Sequence, residues 1–377
     1  MTTSLILVAS MSLVAPARQA PVRPLPRYTV VVLRRSTDRD STIGTAVGGG
    51  WQGGYAVNPS EPLIFRGRSD QWRSLLPAGV WAARILGMDE RQQVGFTQGS
   101  AERPCVWSGT AESYVDLLPE GWMFGQATAV HDGRQVGWGS RSFYDARALL
   151  WRGTRESWVD LTPPGWEFSA AYGIHGDVVV GSATYRNAEG PRGGLWRLDE
   201  GNRFVPLNPT WGDGCQVYGA GPGEQVGYVA HPVTNKFHAA LWRGTPESCV
   251  DLMPYGALQS RAYGTNGRQQ VGRAFWGGER TWACVWSGSR GSWHDLHQYL
   301  PRSANFVQSE ALAIDAQGNI VGFAKGARPG SARIILWRPN SVEAQSEGDW
   351  LKGDRRRDRL NQPVQANGMR SDGATRG

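Results

Sequence analysis

Residues 170–211 read AAYGIHGDVVVGSATYRNAEGPRGGLWRLDEGNRFVPLNPTW, and the chain on either side repeats that plan. Before it stand ATAVHDGRQVGWG, ARALLWRG and SWVDLTPPGW; after it come QVYGAGPGEQVGYV, HAALWRG and SCVDLMPYG. Aligning the glycine that closes the QVG element gives Gly54, Gly95, Gly137, Gly181, Gly227, Gly272 and Gly322. Aligning the aromatic of the LW element gives Phe65, Trp107, Trp151, Trp196, Trp242, Trp286 and Trp337. Two independent anchors count seven copies, spaced by about 44 residues.

Each copy holds four short segments separated by turn residues. In the third they are Ala127–His131, Arg134–Gly139, Ala146–Trp151 and Ser157–Leu161, with Asp132-Gly133 among the separators. Segments of this length and composition are strands, and four antiparallel strands per repeat make a propeller blade. The fourth segment's leucine recurs as Leu75, Leu117, Leu161, Leu207, Leu252 and Leu296, leaving the seventh copy without one. Tyr28–Leu33 (YTVVVL) stands in phase to supply it. The expectation is therefore an all-β chain: a single seven-bladed β-propeller over residues 28–340, its last blade closed by the N-terminal strand. Closure covers the apolar flanks that an open array of repeats must cap.

The remaining composition narrows the function classes. The chain has 377 residues, 50 glycines, 18 tryptophans and a formal charge of +7. That charge is spread thinly, without the basic stripe that nucleic acid requires. Residues 1–20 resemble a secretory leader, with an apolar run from Ser4 to Ala15 ahead of Ala15-Pro16-Ala17. The run is too short to span a bilayer, and no transmembrane segment is expected. A secreted or cell-envelope location follows, with the cytoplasm as the alternative. Residues 341–377 are mixed in charge and poor in apolar side chains, the composition of a disordered tail.

The repeated pattern, small-x-G-I, then DG-x-QVVG, then A-x-LW, then DL, resembles the probable extracellular repeat family named for its His-Ala-Phe tripeptide. His238-Ala239-Ala240-Leu241-Trp242 is the nearest copy. Arg147 and Trp282 replace the histidine in Arg147-Ala148-Leu149-Leu150-Trp151 and Trp282-Ala283-Cys284-Val285-Trp286. The resemblance implies an exported β-propeller and carries over no catalytic or binding residue.

No catalytic set emerges. Asp116, Asp160, Asp251 and Asp295 recur before the fourth-segment leucine, and Ser113, Ser157, Ser248 and Ser292 recur three residues earlier. Repetition in four copies points to structural hydrogen bonds for both. Gln52-Gly53-Gly54 in the glycine-rich TAVGGGWQGGYAV is simply the QVG element again, without phosphate-loop spacing. Cys105 and Cys284 read as buried thiols at one repeat position, while a Cys215–Cys249 bridge stays open. His131 and His175 share a register, but successive blades should hold them too far apart to chelate, and Asp89, Gly221, Asn266 and Asp315 complete no ligand set. His294 and His297, read as three apart on a strand, should face opposite ways. No metal and no cofactor are expected.

The candidates for recognition are tryptophans and departures from the repeat. Trp81, Trp122, Trp166 and Trp211 follow the fourth segments. Exposed, they form a ring suited to stacking on sugars or gripping peptide; buried, they plug the seams between blades, which the pattern favours. Tyr144, Tyr185, Arg186, Tyr228, His231 and Arg273 break the repeat between second and third segments and are candidates for a cleft at the channel mouth. The favoured function is a binding or scaffold module presenting one face to a protein or glycan. The alternatives are a polysaccharide hydrolase or lyase working at the channel mouth, and a structural cell-surface component. The sequence leaves the oligomeric state open.

Overall fold

The computed structural model describes residues 27–35, 40–185 and 191–340. The leader expected over residues 1–20, the tail over 341–377 and Arg186 lie outside them. Among the described residues the chain forms seven antiparallel sheets of four strands each. Six blades are continuous in sequence: 42–74, 82–116, 124–160, 166–206, 214–251 and 259–295. The seventh takes three strands from 306–339 and its outermost from Tyr28–Leu33. That strand pairs with Arg333–Pro339 in a register running from Tyr28 opposite Pro339 to Leu33 opposite Ile334. Leu33 is fully buried there, as Leu161 nearly is in blade 3.

Blade 3 shows the common plan: Phe124–His131, Arg134–Ser140, Ala146–Trp151 and Val159–Asp160. Its first strand neighbours the first strands of blades 2 and 4, so these strands circle the axis while the fourth strands form the rim. The fourth strand is shorter than the sequence suggests. Ser157 belongs to a 3-10 turn, where its hydroxyl accepts the Arg152 amide at 2.8 Å and donates to the Thr154 carbonyl at 2.6 Å. Ser113, Ser248 and Ser292 make the same pair of bonds. Leu161 still docks through its amide on the Ala148 carbonyl, although it follows the strand.

The glycine of each QVG element answers a bulge in the facing first strand. In blade 3 the register slips between Ala127 and Ala129, leaving Thr128 as the extra residue. A Cβ on Gly137 would then stand 2.0 Å from the Gln126 carbonyl oxygen, and one on Gly227 only 1.9 Å from that of Gln216. No side chain fits so close to a carbonyl. The third-strand tryptophans Trp107, Trp151, Trp196, Trp242, Trp286 and Trp337 are fully buried between blades, each contributing about 2–3 kcal/mol from apolar area.

The disc has two unlike faces. One, the turn face, carries the links between first and second strands and between third and fourth. There Gln135 accepts the Gly153 amide at 2.7 Å and donates to the Gly133 carbonyl at 2.9 Å. Gln93, Gln225 and Gln270 accept the corresponding amides of Gly109, Gly244 and Gly288. The other, the loop face, carries the second-to-third links and the crossings to the next blade. Among the described residues, Trp81, Phe143, Tyr144, Val233 and Tyr255 all stand exposed on it.

Candidate functional site

The seven bulge residues line the wall around the axis, and they are not alike. Blades 7, 1, 2 and 3 place Leu312, Thr45, Leu86 and Thr128 there; blades 4, 5 and 6 place Tyr172, Tyr218 and Tyr263. A bulge re-aims one side chain of a strand without disturbing its pairing beyond the kink. The small residue after each bulge admits its neighbour. A Cβ on Gly173 would lie 2.8 Å from the Tyr218 carbonyl, and one on Gly219 2.5 Å from that of Tyr263. The three tyrosines thus form a continuous arc, with ring centroids 5.9 Å apart for Tyr172 and Tyr218 and 5.5 Å for Tyr218 and Tyr263.

The arc is tied to polar side chains on its loop-face side. Gln216 donates to the Tyr172 hydroxyl at 3.2 Å and accepts from the Tyr218 and Tyr228 hydroxyls at 2.9 and 3.2 Å. The Arg261 guanidinium lies 5.1 Å from the Tyr228 ring centre and 4.7 Å from that of Phe237. Arg273 pairs with Glu310 of blade 7 at 2.7 Å. Between them, over blade 6, opens a cavity of about 220 Å³ lined by Gln259, Ser260, Arg261, Arg273, Phe275 and Thr281.

Burial sets the chemistry of these groups. Burial, with the Glu310 charge beside it, pushes the Tyr263 phenol up to about 12. Burial raises Tyr218 and Tyr228 as well. Although desolvation pulls Arg273 down, the Glu310 carboxylate holds it above its ordinary value. At neutral pH Tyr218, Tyr228 and Tyr263 are therefore neutral donors and acceptors. The cluster offers hydrogen-bond donors, acceptors and ring faces to a bound group.

Of the residues expected at a cleft, Tyr228 and Arg273 belong to this cluster. Tyr144 stands exposed in the second-to-third link of blade 3. Tyr185 packs edge-on against Trp166 at 5.7 Å. His231 folds into its own turn, its Nδ1 accepting the Val233 amide at 3.3 Å. The four tryptophans do not share one environment. Trp81 is 72% exposed, whereas Trp122 is 7% exposed and packs on Trp158. Trp166 opens the first strand of blade 4 and also meets Phe204, and Trp211 lies half-buried beside His238. Missed by the sequence reading were Tyr172, Gln216, Tyr218, Arg261, Tyr263 and Glu310. The signal was present as Tyr-Gly at 172–173, 218–219 and 263–264.

Two histidine expectations need correction. His131 and His175 are not far apart: their rings stand 4.4 Å from centre to centre. They end neighbouring first strands, and strands that circle an axis keep equivalent positions close. Burial and the neighbouring His131 hold His175 below its ordinary value. Among the described residues no three His, Cys, Asp or Glu side chains gather as a metal site. His297 sits in a 3-10 turn rather than on a strand with His294, its ring bonded to Ser309 and stacked on Trp282. Cys215 and Cys249 share one apolar cluster as free thiols, each pushed up to about 12 by burial. The recurrent aspartates accept the amide two residues on, Asp160 from Thr162 at 2.8 Å and Asp251 from Met253 at 2.7 Å.

No helix of the described residues is long and apolar enough to cross a membrane. No family model matches the chain, and no curated protein matches it. Solved structures do. Puromycin hydrolase is 14% identical with a TM-score of 0.52, the match covering 84% of this chain and 56% of that one. The acylaminoacyl peptidase of Pyrococcus horikoshii is 11% identical with a TM-score of 0.50, covering 80% and 52%. This chain thus spans little more than half the length of either. The β-propeller domain of the Trilobed protease from Pyrococcus furiosus, described as having an open velcro topology, is 9% identical with a TM-score of 0.53, covering 79% and 95%. At such identities the likeness carries the fold and nothing finer: this chain is a seven-bladed β-propeller.

Proposed function

We propose that the protein is a non-catalytic binding propeller that presents its loop face to a protein or glycan. The observation that carries this reading is the division between the faces. Trp81, Phe143, Tyr144 and Tyr255 stand exposed on the loop face, while on the turn face the third-to-fourth links of blades 2, 3, 5 and 6 are closed by their own glutamine and serine bonds. Large aromatic side chains held in water are recognition groups when they gather on one surface. The protonated phenols and the paired carboxylate at the channel mouth support binding over proton abstraction. The likeness of the repeats to the exported His-Ala-Phe family supports a secreted or cell-envelope location.

The test is a glycan and peptide array probed with the full chain, alongside Trp81→Ala and Tyr255→Ala. Capture of one ligand class, weakened in either variant, is expected. Release of new reducing ends or unsaturated sugar from any polysaccharide overturns the reading in favour of an enzyme. Silence on every spot overturns it in favour of a structural component.

A further inference from the structure

Of the two arginines that line the blade 6 cavity, Arg261 is the one without a carboxylate partner among the described residues. Arg273 has Glu310 at 2.7 Å. Arg84 bonds Ser60 at 3.1 Å. Arg261 makes no ion pair with a described residue; its guanidinium lies over the Tyr228 and Phe237 rings, which pack on each other at 4.5 Å, and beside the Tyr263 phenol. Its Nε–H is buried without an acceptor. The residue is only partly buried, so the rest of its guanidinium is open to a ligand that supplies the counter-charge. Arg261 also lines the cavity of about 220 Å³ over blade 6. With Arg273 balanced by Glu310, that cavity keeps one unmatched positive charge.

The cavity's surroundings specify what should carry the negative charge. Arg261 joins the cavity to blade 5 through its contact with Tyr228, and there the hydroxyls of Tyr172, Tyr218 and Tyr228 converge on the Gln216 amide, each hydroxyl able to donate and accept. The aromatic arc turns through three blades with centroids 5.5–5.9 Å apart. Phenol edges beside ring faces match a sugar, which has hydroxyls around its rim and C–H groups on its face. A flat guanidinium matches a carboxylate through paired N–H bonds. A peptide carboxylate would meet the same arginine, but a peptide has few hydroxyls to use the tyrosine–glutamine net.

We propose that the cavity over blade 6 at the channel mouth is a subsite for a carboxylate carried on a sugar ring, and hence that the ligand of the loop face is an acidic glycan. This deepens the binding reading and rests on it. Arg261 takes the carboxylate, while Tyr218, Tyr228 and Gln216 take ring hydroxyls at its side.

The experiment is calorimetric titration of the full chain with two tetrasaccharides that differ only at C6: cellotetraose and the glucuronate tetramer made by oxidising it. A tetraglutamate peptide forms a third arm. The wild-type chain should bind the uronate at least about tenfold more tightly than the neutral sugar, less so at high salt. Arg261→Met should reduce that preference about tenfold or more, with Tyr218→Phe giving a smaller loss. Melting temperatures report whether each variant is folded; should Arg261→Met fail to fold, the wild-type preference for uronate over neutral sugar decides alone. Equal binding of the two sugars overturns the proposal, as does tighter binding of tetraglutamate. Loss of uronate binding in Trp81→Ala but not in Arg261→Met overturns it while sparing the binding reading, because the ligand would then sit elsewhere on the loop face. No binding of any probe, with the arrays still positive, overturns the acidic-glycan assignment alone.

Discussion

The same seven repeats build both faces of the disc, yet the faces differ in what the repeats hold constant. On the turn face, blades 2, 3, 5 and 6 use one device: a buried glutamine bonded to the glycine amide of the third-to-fourth link, and a serine clamped within that link. Where the glutamine is missing the link changes too. Blade 4 has Val179 in its place, and its link turns through Leu198–Glu200 with Gly201 in the left-handed region. On the loop face the crossings recur, Pro77, Pro119, Pro163, Pro209 and Pro254 each accepting the amide three residues on, but the second-to-third links differ in length and composition, and Phe143, Tyr144 and Val233 stand exposed in them. A part that recurs blade after blade is answering the needs of the blade. A part that occurs once is free to answer to something outside it.

The largest effect should come from breaking the ring on which both faces depend. Deleting residues 28–33 removes the rim strand of blade 7 and uncovers Ile334, Ile335 and Leu336, all fully buried by it and by the adjoining blades. A bare apolar edge invites pairing with other chains. The expected outcome is loss of soluble protein and of any cooperative melt. A truncated chain as soluble and as heat-stable as the intact one would mean that the closure does not hold the ring.

An intermediate effect should come from the turn face alone. Gln135 is fully buried and satisfies the Gly153 amide, the Gly133 carbonyl and Gln92 of the preceding blade. In Gln135→Ala the amide loses its acceptor inside the protein, a loss of about 2 kcal/mol. Chemical denaturation should show a lower midpoint with an unchanged slope. An unchanged midpoint would show that the recurrent glutamine is not what holds the link, and the division between the faces would lose its structural side.

How much of this was legible before the structure follows from the same division. The blade count could be read because a Cβ on Gly137 or its equivalents would stand about 2 Å from a carbonyl oxygen and Trp151 and its equivalents fill a seam, so each copy pays the same steric penalty for change. The rim strand Tyr28–Leu33 was legible for a related reason: its phase is dictated by a leucine that must be buried. The fourth strands were over-extended in the reading because Ser157 has ordinary strand surroundings in sequence, and only its two bonds reveal a turn. The site was read in part. Tyr228 and Arg273 announced themselves by breaking the pattern. Tyr172, Tyr218 and Tyr263 did not, because they sit inside the most regular motif of the chain, just before its small residue. That they meet depends on three adjacent first strands crowding the axis, as it does for His131 and His175.

The smallest stability effect should belong to the loop face. Phe143 and Tyr144 are 78% and 85% exposed; Phe143 touches Phe124 at 6.0 Å between ring centres, and the Tyr144 amide bonds Ser142 at 3.3 Å. Replacing both by alanine removes little buried area, so the denaturation midpoint should move by less than about 0.5 kcal/mol in equivalent stability. Their two aromatic rings are then present for a reason other than the fold. A large loss of stability in Phe143→Ala/Tyr144→Ala would place this link among the structural parts of the blade, and the loop face would no longer differ in kind from the turn face. Stability retained, beside the loss in Gln135→Ala, would leave one face that the fold requires and one that it merely carries.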